Sequence, residues 1–434
     1  MSEEYFRPIW IKDVRLDWSI KRIKHATYLK ARVGWHGLTS SEYLNQGVLL
    51  VTGTDFENGR VNWETCYRVS EERYQQDSYI QIQEGDLLIT KDGTIGKVAL
   101  VEGLNEPATL NSGIFVTRPL KAVYVNHFMY WLLQSKIFQT FIDYIKVGTT
   151  INHLYQNQLS DFAFPVPSLD IQKAIATFLD RKTAAIDELI AKKQRLIELL
   201  EEKRTALINH VVTKGLNPNV AMKDSGIPWI GEIPEHWKVV AAKRVASVYV
   251  PQRNKPRLNE DNGYPWITLD EIGSMFIETS NKGFYVSDDA LIEAGSKPLQ
   301  IGAVVTGCTG TFGTASITKS TVIINQQLQA YIPINIEVDF LRNCIINSSV
   351  YFKSVATATT IPYVNKTGFE ECPVPLPPRQ EQILISRWVQ EQNKYIDRLI
   401  LAIRTQINRL QEYRQSLITA AVTGKINVEQ EEVA

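Results

Sequence analysis

Gly85-Asp86-Leu87-Leu88-Ile89-Thr90-Lys91-Asp92-Gly93-Thr94-Ile95-Gly96 is answered without a gap by Gly302-Ala303-Val304-Val305-Thr306-Gly307-Cys308-Thr309-Gly310-Thr311-Phe312-Gly313, at an offset of 217 residues. Upstream, Trp10-Ile11 and Trp18 match Trp229-Ile230 and Trp237 at an offset of 219. Downstream, Asn111 and Pro119 match Asn325 and Pro333 at 214, and Thr149-Thr150-Ile151 matches Thr359-Thr360-Ile361 at 210. Pro165-Val166-Pro167 matches Pro373-Val374-Pro375 at 208. Ile186-Asp187, Leu189-Ile190 and Val212-Thr213 match Ile396-Asp397, Leu399-Ile400 and Val422-Thr423 at 210. Two unrelated domains of similar composition would not keep these blocks in one order. A period near 210 residues is also far too long for a solenoid, so the chain carries two copies of one domain-plus-helix unit.

The first part of each unit reads as mixed β structure with some helix. Val48–Val51, Asp86–Ile89 and Val98–Val101 are short apolar runs that suit buried strands. Asp92-Gly93 and Thr309-Gly310 sit between apolar runs, where a tight turn needs a residue tolerant of positive φ. Asn126–Tyr144 reads as one helix, and Asp339–Phe352 as its weaker counterpart.

The second part of each unit reads as a long helix. Ile396, Ile400, Ile403, Ile407, Leu410, Arg414, Leu417 and Ala421 alternate steps of four and three, the spacing of a helix seam. The earlier copy is Ile186, Ile190, Lys193, Ile197, Leu200, Arg204, Leu207 and Val211, with Arg at the same late position. Each apolar side chain contributes roughly 1.5–3 kcal/mol when fully buried, so neither seam is expected to stay exposed. A rotation relating the two copies would pack the helices antiparallel; the alternative is that each helix packs on its own domain. The expected fold class is therefore α+β: two similar mixed domains separated by two long helices in an antiparallel coiled coil. The expected division is 1–167 and 228–375 for the two domains, and 168–214 and 376–425 for the helices. Residues 215–227 are the linker and 426–434 the tail.

With 434 residues, 44% hydrophobic and 22% charged, the composition excludes global disorder. Lys plus Arg equals Asp plus Glu at 47 each, which argues against a uniformly basic coat while leaving room for a local basic face. Cys66, Cys308, Cys344 and Cys372 form no C-x-x-C pair. Met1-Ser2-Glu3-Glu4 is acidic where a targeting segment would be basic, and no run of about eighteen apolar residues occurs. A cytoplasmic location without a membrane partner is expected.

Catalytic constellations are not found. Gly93-Thr94-Ile95-Gly96-Lys97 is too short for a phosphate loop, and Gly307, Gly310 and Gly313 do not make a dinucleotide fingerprint. The histidines at 25, 36, 127, 153, 210 and 236 show no ligand spacing, and no G-x-S-x-G elbow occurs. The residues point to binding without turnover and to no metal.

Three blocks carry a family resemblance. They are Ile227-Pro228-Trp229-Ile230-Gly231-Glu232-Ile233-Pro234-Glu235-His236-Trp237, the Gly85–Gly96 block, and Pro373-Val374-Pro375-Leu376-Pro377-Pro378-Arg379-Gln380-Glu381-Gln382. Together they resemble the specificity subunit of type I restriction–modification systems, which defend against foreign DNA, over roughly Trp10 to Asn427. The first copy departs at Val14-Arg15, where the second has Ile233-Pro234. It departs again at Ser168-Leu169-Asp170-Ile171-Gln172-Lys173, which lacks the Pro-Pro and Glu-Gln signature. The resemblance implies two target-recognition domains and a non-catalytic role. It implies methyltransferase subunits, usually two, that carry S-adenosylmethionine, and a restriction and translocation subunit that uses ATP and Mg. No cofactor is then bound by this chain.

A seam from 186 to 211 spans about 39 Å at 1.5 Å per residue, close to the roughly 34–36 Å of one turn of B-DNA. The expected target is thus two different short segments of double-stranded DNA, read in the major groove across a fixed spacer. Base edges are read by Arg, Lys, Asn and Gln, whereas phosphates need only cations. The copies diverge most after their opening strands, at Lys30, Arg32, Trp35 and His36 against Gln252, Arg253, Asn254, Lys255 and Arg257. Further candidates are the central turn, with Lys91 and Lys97 against Thr309 and Thr311, and the loops Thr149–His153 and Thr359–Tyr363. For each of these, a plain solvated or structural loop is the competing account. For the whole chain, it is a coiled-coil scaffold that never touches DNA.

Overall fold

The computed structural model describes residues 7–32, 38–146, 153–310, 312–357 and 360–428. The chain forms two compact units, one of Met1–Lys193 with Arg404–Ala434 and one of Gln194–Ile403. Both unit boundaries fall inside the long helices, Leu169–Lys214 (the central helix) and Arg379–Val422 (the C-terminal helix).

In the first unit a six-stranded sheet runs Thr27–Ala31, Ile114–Pro119, Leu87–Thr90, Val98–Leu100, Arg60–Val61, Phe56–Glu57. A three-stranded sheet runs Tyr67–Val69, Val48–Val51, Ala108–Leu110, and Ser19–Arg22 pairs with Ala163–Val166. The second unit repeats the plan. Its main sheet runs Ala246–Tyr249, Leu328–Pro333, Val304–Gly307, Ala315–Thr318, Phe276–Ile277. Its smaller sheet runs Tyr285–Val286, Tyr264–Ile267, Ile323–Ile324, and Lys238–Ala241 pairs with Pro373–Leu376. The apolar run Leu87–Thr90 is buried at every position because one face packs on helices and the other on the smaller sheet. The turns after the central strands have Gly93 at φ 65° and Gly310 at φ 70°, the left-handed conformation expected from their dipeptides.

The expected single helix over Asn126–Tyr144 is two, Asn126–Leu133 and Lys136–Lys146. Ser135 divides them: its hydroxyl donates to the Leu132 carbonyl (2.6 Å) and accepts from the Ile137 amide (3.2 Å). Ser348 sits at the same place between Val338–Asn347 and Ser349–Val355, donating to the Cys344 carbonyl (2.8 Å). The C-terminal helix begins at Arg379, because Pro373–Leu376 is spent as a strand and two prolines follow.

The two seams are buried or half-buried along their length, and the helices are antiparallel within each unit. In the first unit Arg414 donates to Asp187 (2.9 Å) and Lys193 to Gln406 (2.6 Å), so numbers rise along one helix as they fall along the other. In the second unit Arg204 bonds Asp397. These two ion pairs are copies of one another under the 210-residue repeat. The helices also pack on the domains, so the two sequence alternatives are both realised. Ile175, Phe178 and Leu179 from the start of the central helix share a core with Leu417, Ile418 and Ala421 from the end of the C-terminal helix. In the second unit Ile385 and Val389 share a core with Ile208, Val211 and Val212. Gly424 and Gly215 end the helices at φ 75°, where a Cβ would come within 2.8 Å of Trp18 and 3.2 Å of Trp237, respectively.

The helix lead-ins are more alike than their sequences. Gln382 is buried; its amide donates to the Pro377 carbonyl (2.9 Å) and its oxygen accepts from the Glu337 amide (2.8 Å). Gln172, 210 residues earlier, donates to Pro167 (2.9 Å) and accepts from Val125 (2.9 Å). The first copy therefore lacks Pro-Pro and the Glu but keeps the Gln that fastens helix to domain.

Candidate nucleic-acid interface

Strand register decides where the divergent loops go. In the first unit Ala31 lies opposite Phe115, and Thr90 opposite Ile114. Residues 32, 91–94 and 111–113 therefore leave the same end of the sheet. Leu154 then returns to that end, its amide donating to the Lys91 carbonyl (2.7 Å). In the second unit Tyr249 lies opposite Ala330 and Gly307 opposite Leu328, which gathers 250–257, 308–310 and 325–327. Gln326 donates to the Gln252 carbonyl (2.9 Å), the Cys308 amide to Gln327 (2.9 Å), and the Val364 amide to Cys308 (2.9 Å). Residues 32, 91–94, 111–113 and 153–154 of the first unit, and 250–257, 308–310, 325–327 and 362–364 of the second, thus gather at one end of each main sheet.

The cluster sorts the candidates. Arg253, Asn254, Lys255 and Arg257 are exposed, and none makes an ion pair or side-chain hydrogen bond among the described residues; buried Pro256 anchors the stretch. Gln252 is exposed at the mouth of a cleft of about 280 Å³ also lined by Tyr249, Lys297 and Lys366. These two lysines are additions that the sequence reading missed, because they lie far along the chain from the loop they flank. Lys30 is exposed on its strand, with its ammonium 5.9 Å from the Tyr28 ring. Lys91 is half-buried with its ammonium 5.6 Å from the Phe115 ring, and burial pulls its pKa down.

Two candidates, Arg32 and the Thr309 hydroxyl, are corrected. Arg32 is 1% exposed and cannot touch DNA: its guanidinium donates to the Leu110 carbonyl (2.9 Å), to Thr109 Oγ1 (3.2 Å) and to buried Asp77. Burial lowers its pKa and Asp77 opposes that shift. Lys97 is exposed, and its ammonium donates to the Phe56 carbonyl (2.6 Å), which braces the return strand and leaves two donors for a further contact. Thr309 contributes its backbone, since its Oγ1 is enclosed without a partner among the described residues. Trp35, His36, Thr311, Thr149–Asn152 and Thr359 lie outside the described residues.

No group of three or more His, Cys, Asp or Glu suited to a metal ion occurs among the described residues, and no helix among them is long and apolar enough to cross a membrane.

A duplicated mixed-sheet domain, with one divergent polar loop cluster per copy and a shared helix pair, defines a tandem recognition protein. The chain belongs to the type I restriction modification DNA specificity domain family, whose profile matches residues 38–199 and 234–409. It is 24% identical to the type I restriction enzyme MjaVIII specificity subunit of Methanocaldococcus jannaschii, over 98% of this chain and 97% of that one. It is 21% identical to the EcoKI specificity subunit of Escherichia coli strain K12, over 95% and 90%. A chain from a structural study of complex assembly and conformational transition in the type I R-M system has a TM-score of 0.72 at 16% identity, covering 95% of this chain and 99% of that chain. The HsdS subunit of Thermoanaerobacter tengcongensis has a TM-score of 0.55 at 16% identity, covering 95% and 98%. The two structures share the fold.

Proposed function

We propose that this chain is the non-catalytic DNA-recognition subunit of a type I restriction–modification complex, reading two different half-targets with its two loop clusters. The observation that carries this reading is the convergence, at one end of each main sheet, of described residues at which the copies differ: 32, 91–94 and 153 in the first copy, 250–257, 308–310 and 363 in the second. A repeated scaffold with a variable rim is what two separate readings need, since phosphate contacts position a protein while base-edge contacts specify. The unpaired cations of 253–257 together with Lys297 and Lys366 supply the first kind of contact in the second unit. Major-groove reading falls to the polar side chains beside them.

The helix pair is assigned the spacer and the docking of the methyltransferase subunits, two of them by the family's habit. In this reading S-adenosylmethionine belongs to those subunits, and ATP with Mg to a restriction subunit. Zero net charge is compatible with the role, because affinity is shared with partners that clamp the duplex.

The test is co-expression with a cognate methyltransferase subunit and genome-wide mapping of N6-methyladenine. A bipartite, asymmetric motif is expected, and inserting four residues into either long helix changes its spacer. A stable complex that methylates nothing would favour the scaffold account. A motif with an unaltered spacer after insertion would remove the helices from spacing.

A further inference from the structure

Asp92 and His153 form an isolated backbone bridge in the first unit, and Thr309 and Tyr363 form the same bridge in the second. These are the same positions of the repeat, at offsets of 217 and 210. The surrounding backbone is held alike, with Leu154 donating to Lys91 (2.7 Å) and Val364 to Cys308 (2.9 Å). The backbone is kept while the side chains are exchanged, from carboxylate and imidazole to hydroxyl and phenol. A backbone bridge leaves the side chains free to differ, which is what a position reading two different half-targets requires.

The first unit shows how the position would read. The His153 side chain is 34% exposed and its Nδ1 is hydrogen-bonded to Asp92 Oδ1. A carboxylate accepts only, so Nδ1 carries a proton, and in the singly protonated ring Nε2 is the acceptor. No side chain among the described residues bonds Nε2. On its flank the Tyr155 ring lies 4.7 Å from the imidazole, centroid to centroid, and restrains it further. The result is an oriented, half-exposed imidazole at the rim of the loop cluster. In the major groove the base groups that donate are adenine N6 and cytosine N4.

We infer that His153 is a specificity-determining residue that accepts from the exocyclic amine of an adenine or cytosine in one half-target, with Asp92 and Tyr155 as its positioning residues. Tyr363 is its counterpart for the other half-target. This rests on the DNA-recognition reading above.

The experiment maps the methylated motif of the full chain with its methyltransferase partner, for the wild type and for His153→Ala, His153→Gln, Asp92→Ala and Tyr363→Ala. With His153→Ala, discrimination at one base pair of one half-target is expected to fall by about five- to 150-fold, with the other half unchanged. Asp92→Ala relaxes the same base pair by less, and Tyr363→Ala relaxes the opposite half. If His153→Ala abolishes methylation outright, His153→Gln decides, since its amide oxygen can still accept and its motif should change only at that base pair. An unaltered motif, or a uniform loss of methylation without altered preference in both His153 variants, overturns the inference. A wild type with no bipartite motif would instead overturn the proposed function.

Discussion

Replacing Arg32 with Met should unfold the first recognition domain at markedly lower temperature without acting as the loss of a DNA contact. The Arg32 and Asp77 side chains are both 0% exposed, and the guanidinium ties the end of strand Thr27–Ala31 to Asp77 and to strand Ala108–Leu110. Methionine matches the length of the stem and removes every donor. It also leaves a carboxylate buried without its guanidinium, and removing one partner of a buried pair costs about 3–5 kcal/mol. In a unit of this size about 1 kcal/mol shifts the midpoint by roughly 2–4 °C, so the melting transition should fall by about 6–20 °C. Asp77→Leu should cost a similar amount. The Arg32→Met/Asp77→Leu double variant should cost less than the sum, because the two buried charges compensate one another. Calorimetry of the full chain, with hydrogen exchange over residues 27–32 and 108–110, reads the effect where it arises. An Arg32→Met protein that melts normally but has lost one half-target would refute the argument and restore Arg32 as a DNA contact.

Two further outcomes follow from the loop and helix geometry. Changing Arg253, Lys255 and Arg257 together to Gln should flatten the slope of log K against log salt by up to about 2.7, since each neutralised phosphate contributes about 0.9; an unchanged slope, measured by anisotropy with labelled duplex, would take this loop off the backbone. Gly424→Val places a Cβ 2.8 Å from Trp18 at φ 75° and should destabilise the first unit by about 1–3 kcal/mol, read as a lowered melting midpoint; an unshifted midpoint would mean that the helix end does not need this close approach.

Much of this architecture was legible because it rests on periodicities. The central strand block recurs without a gap, and the seam steps of three and four recur 210 residues later. The ion pairs Asp187–Arg414 and Arg204–Asp397 follow once a repeat of that length is folded antiparallel on itself. The break at Ser135 was not legible, since the apolar pattern continues across it and only the hydroxyl's hydrogen bonds mark the division. Gln172 was legible in principle: shifting the lead-in by 210 residues aligns it with Gln382, whereas comparing only the Pro-Pro and Glu-Gln signature hides it.

The site was legible as a set of loops and not as a set of side chains. Arg32, Lys97 and Arg253 look equivalent along the chain, yet one is sealed against Asp77, one braces the Phe56 carbonyl, and one stands free in solvent. What the amino-acid order determined by itself was the duplication, the helical seam and the turn positions, because each depends on local spacing and backbone preference. What only the tertiary structure decided was which cations face inward and which loops share an end of the sheet. The reason is physical: a charge is buried or exposed according to partners brought from tens of residues away by strand register, and no local pattern specifies that register's distant neighbours.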